Sequence, residues 1–168
     1  MLRIYREFSN LDFGKLMTVY SQSNQENAAE YYPDLQESLA MLCAEQDYLT
    51  YLTDVFFRTE GAFYAVWEQN GVYVSALRME PYRDGYLLEA LETHPFHRRN
   101  GYATVLLRAA LAYIHERENH TVYSHVSKRN TASLRTHITC GFQRILEHAV
   151  YIDGSVRQDS CTMCYKKW

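Results

Sequence analysis

Between residues 62 and 93 the chain abandons helical spacing for three successive runs of apolar alternation, separated only by Asn70-Gly71 and by Arg83-Asp84-Gly85. Alternation sends neighbouring side chains to opposite faces, so each run reads as a strand. Residues 62–68 and 72–79 form a hairpin, because an Asn-Gly pair accepts the left-handed turn such a connection needs. Residues 86–93 add a third strand to the meander.

The flanking segments supply the remaining elements. Residues 2–8 alternate like a short strand. Residues 12–20 read as a helix, interrupted by the polar stretch Ser21-Gln22-Ser23-Asn24-Gln25. Asp34 behind Pro33, with Glu37 three positions on, has the form of a capping box. Leu35, Leu39, Leu42, Leu49, Leu52 and Phe56 then recur at helical spacing and end before Gly61, which predicts one or two helices. Downstream, residues 101–118 read as a helix with Ala103, Leu106, Leu107, Ala110 and Ile114 on one face. A strand over 121–127, a helix over 130–140 stopped by Gly141, and strands over 142–152 and 157–165 complete the order. The predicted sequence of elements is β-α-α-β-β-β-α-β-α-β-β, an α/β domain of the layered α+β kind. At 168 residues the chain suits a single domain over 1–168.

Composition excludes several classes of function. No apolar run approaches the roughly 18 residues of a membrane span. The first residues, Met-Leu-Arg-Ile-Tyr-Arg-Glu, carry no secretory signal, so a cytoplasmic location is expected. Four cysteines do not make a disulfide framework. Cys161 and Cys164 stand three apart in a predicted strand and therefore face opposite ways, with no second Cys or His pair to complete a zinc site. His94, His97, His115, His120, His125 and His148 show no ligand spacing, so no metal is expected, and His94 and His97 are read as structural or solvated. The fifteen tyrosines suit core edges and a pocket wall, where one end of the ring is dry and the other is not.

The net charge of −3 is unevenly spread. Residues 11–60 carry nine acids against Lys15 and Arg58, whereas residues 61–168 carry thirteen bases and ten acids. A basic half suits a polyphosphorylated ligand and an acidic half a cationic one. The overall sign argues against nucleic-acid binding, which needs a basic footprint.

The segment Leu91-Glu92-Thr93-His94-Pro95-Phe96-His97-Arg98-Arg99-Asn100-Gly101-Tyr102-Ala103-Thr104 carries the chemistry. A strand ends, a short turn follows, and a helix begins with small residues at Gly101 and Ala103. The first turn of a helix exposes unpaired N–H groups at the positive end of its dipole, which suits a phosphate. Gly101 has no side chain to hold a ligand off, and Arg98 and Arg99 add positive charge.

This stretch resembles the acetyl-CoA motif of the GNAT superfamily of N-acetyltransferases, Leu-x-Val-x-Pro-x-x-Arg-x-x-Gly-x-Gly/Ala. Leu91, Pro95, Arg98, Gly101 and Ala103 match it, and Thr93 stands where Val is common. Downstream, Asn130, Ser133 and Gly141-Phe142 resemble a second family signature, in which His137 replaces the usual Tyr. The resemblance implies a mixed, mostly antiparallel sheet of about seven strands flanked by about four helices. It also implies acetyl-CoA as cosubstrate. The backbone of Leu91, Glu92 and Thr93 would hydrogen-bond the pantetheine arm in a V-shaped gap between the strands ending near Thr93 and Ser127. The Leu91 amide would polarise the thioester oxygen. The amides of Arg99, Asn100, Gly101, Tyr102, Ala103 and Thr104 would cradle the pyrophosphate. Asn130 and Ser133 would meet the arm from the other side.

The reaction so implied is direct attack by a neutral amine on the thioester, and a base must first take the ammonium proton. Glu89, two residues before Leu91, stands where some family members place that base. Strand alternation puts it on one face with Leu87 and Leu91, and it equally suits a paired strand carboxylate. Glu92 is the second candidate and points the other way unless the strand carries a bulge. His137 is either the general acid for the leaving thiolate or a packing residue, with protonation left to water, Tyr102 or Tyr123. The acidic segment 11–60 would line the acceptor pocket, which predicts a cationic amine: a small molecule before a protein amine. The alternative from a different class is a non-catalytic acyl-CoA-binding regulatory domain. Either a monomer or a homodimer is compatible with the family.

Overall fold

The computed structural model describes residues 1–117 and 120–166. Its strands are β1 (Leu2–Tyr5), β2 (Phe63–Gln69), β3 (Val72–Tyr82), β4 (Gly85–Thr93), β5 (Thr121–Ser127), β6 (Gln143–Leu146), β7 (Ala149–Val150), β8 (Val156–Arg157) and β9 (Ser160–Tyr165). Its helices are α1 (Phe13–Val19), α2 (Ser21–Tyr31), α3 (Glu37–Asp54), α4 (Tyr102–His115) and α5 (Thr131–Thr139). Among the described residues, seven strands build one sheet in the order β1-β2-β3-β4-β5-β9-β6, while β7 and β8 pair apart from it. Every ladder is antiparallel except β4–β5. This is the mixed sheet expected, with five helices in place of about four.

The meander follows from its turns. Gln69 pairs with Val72, which leaves Asn70 (φ 50°) and Gly71 (φ 78°) both left-handed, the geometry of a two-residue hairpin. β3 runs on to Tyr82, which faces Gly85, and the Asp84 carboxylate in this turn accepts hydrogen bonds from Thr121 Oγ1 (2.9 Å) and Tyr123 Oη (2.6 Å). Each face of the sheet covers its own core. Leu106, Leu107, Ala110, Leu111 and Ile114 of α4 pack with Phe63, Leu77, Met79, Leu88 and Val122 on one side. Leu16, Val19, Leu52 and Phe56 pack with Tyr64, Val66 and Ala76 on the other. No described helix is long and apolar enough to cross a membrane.

Several elements differ from expectation. The polar stretch from Ser21 does not interrupt a helix but begins α2, which directly follows α1 through Tyr20. Its support is tertiary: Ala28 packs on Ala40 and Ala44 of α3, three small side chains that let the two helices approach closely. Helix α3 starts after Gln36 with no side-chain cap, so the Asp34–Glu37 box is not used. Its inward stripe is Ala40, Ala44, Tyr48, Tyr51 and Leu52, whereas Leu35, Leu39 and Leu42 are exposed. The strand expected over 142–152 breaks into β6 and β7. The one expected over 157–165 divides into β8 and β9. The expected end of the helix after Gly101 at residue 118 lies outside the described residues, and α4 closes at His115. Cys161 sits in the α4-side core and Cys164 against Tyr82, Leu87 and Tyr123, so the two do face opposite ways.

Asp12 caps α1 by accepting the Lys15 N–H at 3.0 Å. Asp12→Ala is expected to cost about 1 kcal/mol in a urea titration, the usual value of an N-cap. An unchanged midpoint would mean that water serves the helix end equally well.

Candidate active site

Strands β4 and β5 pair from Gly85 opposite Thr121 only as far as Leu88 opposite Ser124. Past that point they diverge, and a cleft of about 840 Å³ opens between residues 88–93 of β4 and 124–127 of β5. The facing edges have no ladder partner there, so their N–H and C=O groups suit an extended ligand lying between them as a further strand would.

A bulge sits at the mouth of the cleft. Arg78 faces Glu89 and Ala76 faces Glu92, so Leu77 is opposed by two residues, Ala90 and Leu91. Ala90 is left-handed, at φ 51°. The extra residue resets the alternation. Leu88 and Leu91 both pack toward the α4-side core, whereas Ala90 packs with the cluster under α1 and α3. Leu91 therefore does not share a face with Glu89, contrary to the simple strand reading. Glu92 moves to the Glu89 side, where its charge bears on Tyr20 and Tyr48.

The far end of the cleft is the start of α4. Gly101 is its N-cap at φ 77°, no side chain caps the helix, and a Cβ built on Gly101 would meet nothing within 4 Å. The first-turn N–H groups are thus left for a ligand, and Tyr102, Ala103 and Thr104 line the cleft beside them. Arg98 and Arg99 also line it. Arg98, however, donates to Thr93 O (3.3 Å) and to Gln22 Oε1, which ties the end of β4 to α2. Asn100 is not a lining residue; its Nδ2 braces the turn on His97 O at 3.2 Å. His94 Nδ1 accepts the Phe96 N–H, a structural role as expected.

The sequence pattern of the Acetyltransferase (GNAT) family matches residues 18–142. The chain belongs to the GNAT acetyltransferase family. No curated protein matches it at the level of sequence. Among solved structures it is similar to PaiA N-acetyltransferase from Thermoplasma acidophilum in complex with coenzyme A (11% identity, 99% of each chain covered, TM-score 0.62). It is also similar to the ribosomal-protein-S18-alanine N-acetyltransferase of Escherichia coli (16% identity, 99% of this chain and 94% of that one, TM-score 0.61). A spermidine N-acetyltransferase chimera from Vibrio cholerae and hSSAT aligns at 20% identity over 99% and 95% of the chains, with TM-score 0.62. Identities this low establish a shared fold. The residues present fit the family's cosubstrate: an uncapped helix start, an open cradle at Gly101 and two unpaired strand edges lie along one cleft.

Within this GNAT fold the two carboxylates of β4 have different surroundings. Glu89 accepts from Arg78 Nη2 at 2.9 Å, and both side chains are largely buried. Arg78 also stands 3.8 Å from Glu80, whose other partner is the Tyr51 hydroxyl, and its guanidinium lies over the Tyr51 ring. Burial works against the Arg78 cation, but Tyr48, Glu89 and Tyr51 outweigh it and keep it charged. Among the described residues Glu92 has no such ion pair. Burial raises its pKa above the ordinary carboxylate value; the Ser23 hydroxyl and Arg98 lower it, and Glu26 raises it again.

Asn130, Ser133 and His137 reach the cleft from α5. Asn130 is the N-cap, its Oδ1 accepting the Ser133 N–H at 3.0 Å, so what it can offer a ligand is its Nδ2 donor. His137 is buried, and its Nδ1 lies 2.8 Å from the Ser133 carbonyl, to which it must donate. Nε2 then carries the lone pair and finds no partner. Burial lowers the pKa of the ring, so it stays neutral. A neutral imidazole in this tautomer presents an acceptor, where a general acid needs a proton. Tyr102 and Tyr123 are engaged with Gln69 and Asp84.

Three sets of residues escaped the sequence reading. Gln22 and Ser23, from the stretch read as a break, and Glu26 just after it line the cleft from α2. Arg78 left a signal, since a charge between Leu77 and Met79 within a strand demands a buried partner. Tyr48, Tyr64 and Tyr20 join hydroxyl to hydroxyl at 2.7 Å each, and Tyr20 donates to the Ala90 carbonyl at 2.7 Å.

Proposed function

We propose that this chain is a cytoplasmic, single-domain N-acetyltransferase that moves an acetyl group from acetyl-CoA to a small cationic primary amine by direct attack in a ternary complex. The observation that carries the reading is the continuity of the cleft. It runs from the uncapped start of α4, along the unpaired edges of β4 and β5, to the carboxylates beside the bulge. Bound acetyl-CoA supplies the activated acyl group. The amides of residue 99 and of residues 101–104 hold its diphosphate, the edge of residues 91–93 holds its arm, and the Leu91 N–H polarises the thioester oxygen.

Glu92 is the base in this reading, ahead of Glu89. Glu89 is occupied by its ion pair with Arg78, while burial of Glu92 favours the protonated form a base must reach. Glu89, through Arg78, orders the floor of the pocket. His137 packs α5 and holds its turn, and water protonates the departing thiolate. Beside the Glu89–Arg78 ion pair, Glu26 and Glu92 add negative charge at the acceptor end, which favours an ammonium. Similarity to enzymes named for spermidine and for a ribosomal-protein alanine supports an amine acceptor and leaves a protein amine as the second choice. Neither nucleic acid nor metal enters this scheme.

Titrating coenzyme A into the folded protein in a calorimeter tests the cosubstrate. Heat is expected, and Gly101→Val should weaken binding at least tenfold, since a β-branched residue is strained at φ 77° and Gly101 lines the cleft at the helix start. Absence of heat from the parent protein would end the proposal. Thiol release across a panel of amines tests the acceptor: cationic diamines should outrun neutral and acidic amines. Binding without turnover on any amine would instead assign the chain a regulatory, acyl-CoA-sensing role.

A further inference from the structure

The three linked tyrosines have a direction. A carbonyl cannot donate, so Tyr20 must donate to Ala90 O; its own oxygen then accepts from Tyr64, and Tyr64 in turn accepts from Tyr48. The Arg78 cation bears on the Tyr48 end, favouring an oxygen that has given its proton onward. Tyr64 and Tyr20 are buried, and burial raises the pKa of all three phenols, so each keeps the proton it donates. The chain ends on the one β4 residue that is left-handed without being glycine. Alanine adopts φ 51° only where its surroundings over-determine it. A neighbouring carbonyl is held in the same way, since the Ser75 hydroxyl, fully buried, donates to Glu92 O at 2.6 Å.

The Ala90 carbonyl and the Leu91 N–H belong to one planar trans peptide, in which they point in opposite directions. Whatever orients and polarises the carbonyl therefore orients and polarises the N–H. Hydrogen bonds in a chain of one sense strengthen one another. We propose that Tyr48, Tyr64 and Tyr20 form a positioning relay that fixes the Ala90–Leu91 peptide of the bulge and sharpens the Leu91 N–H as a donor to the thioester oxygen. The relay runs under the active site, from the ion-paired floor at Arg78 to the backbone at the point of reaction. It touches neither substrate, and its catalytic consequence rests on the acetyl-transfer reading given above.

Tyr20→Phe removes the last hydroxyl and keeps the ring. The parent, this variant, Tyr64→Phe and a control, Tyr5→Phe, are compared in two measurements. Tyr5 bonds Tyr73 and stands outside the relay, so its loss should move neither readout. The first measurement is the amide nitrogen resonance of Leu91 in the ligand-free protein, which responds to hydrogen bonding at the preceding carbonyl. It should shift in Tyr20→Phe and, in the same sense but less, in Tyr64→Phe. The second is turnover. Removing an oxyanion donor outright costs roughly a hundredfold or more, and a donor that is retained but loosened should lose less, about tenfold in kcat for Tyr20→Phe, with coenzyme A affinity held within about twofold. A Leu91 resonance unmoved in both variants would overturn the relay, as would a shifted resonance with parental kcat. Should Tyr20→Phe not fold, Tyr64→Phe carries both readouts. An inactive parent would defeat the acetyltransferase reading alone, since the resonance still decides whether the hydroxyls hold the bulge.

Discussion

Gly85→Ala is expected to be the most damaging single methyl that can be added to this protein. A Cβ at Gly85 would lie 1.8 Å from the Thr121 carbonyl oxygen and within 2.9 Å of the Thr121 carbonyl carbon and nitrogen, all of them backbone. No rotamer change relieves a clash between Cβ and main chain, so the strands must separate. They meet here at the first pair of the parallel β4–β5 ladder, and Asp84 beside it bonds Thr121 and Tyr123. Overpacking against adaptable side chains costs about 1–3 kcal/mol, and against backbone the loss should reach about 3 kcal/mol or more. For a chain of this length that corresponds to a fall of roughly 10 °C in Tm. Melting followed by circular dichroism is the measurement, and a variant that melts within a degree or two of its parent would show that β4 and β5 are not locked at this point. Because the same ladder sets where the strands begin to diverge, coenzyme A binding should weaken in whatever fraction remains folded.

Gly85 also shows what the sequence could and could not reveal about the fold. It was legible as a turn marker after Arg83-Asp84, and the turn is there. The reason for glycine is a contact with a residue 36 positions further on, which no local pattern records. The meander was legible for the opposite reason: alternation and an Asn-Gly turn are local, and the hairpin forms where they stand. Helix α3 misled because two stripes compete on it. Leu39 and Leu42, in line with Leu35 just before the helix, have the stronger apolar signal, yet the inward face runs through Ala40, Ala44 and Tyr48, since the small side chains of Ala40 and Ala44 let α2 come close. Helix α2 was invisible for a related reason. It is polar almost throughout and is held by three alanines rather than by an apolar face of its own.

The uncapped start of α4 was legible because it is a matter of backbone chemistry at a helix start, and Gly101 with small neighbours announces it. The placing of the two carboxylates at the other end depended on a single inserted residue. Without the bulge, Glu89 and Leu91 would share a face and Glu92 would point away; with it, both carboxylates stand on the pocket side and Leu91 crosses over. A bulge of this kind is marked in sequence only when glycine occupies the left-handed position, and here that position holds Ala90. The excess of tyrosine was likewise visible only as composition. That three of its hydroxyls and one carbonyl line up in one sense depends on the α1–α2 junction, α3 and β2 converging on β4.

Glu92→Gln should separate activity from stability more cleanly than any other substitution in this protein. Positioned general bases are worth about 10²–10⁴ in rate, and a loss of that order in kcat at neutral pH is expected, with coenzyme A affinity unchanged. The effect on stability has the opposite sign. Burial raises the pKa of Glu92 in the folded state, so the fold binds its proton more tightly than the unfolded chain does. The stability this contributes is present in full below the ordinary carboxylate value and is lost as pH rises through the folded one. At neutral pH the parent therefore carries a buried charge at some cost, and the neutral glutamine should melt at the same temperature or higher. The pH dependence of kcat/KM gives the sharpest reading. The parent should show an ascending limb displaced above the ordinary carboxylate range, in addition to the deprotonation of the amine itself at higher pH, and in Glu92→Gln the lower limb should vanish. Glu89→Gln provides the contrast. It leaves Arg78 buried without its closest counter-charge, so it should lower Tm while keeping the lower limb in place. If instead the limb disappears with Glu89 and survives the loss of Glu92, the ion-paired carboxylate is the base, and the bulge serves the thioester alone.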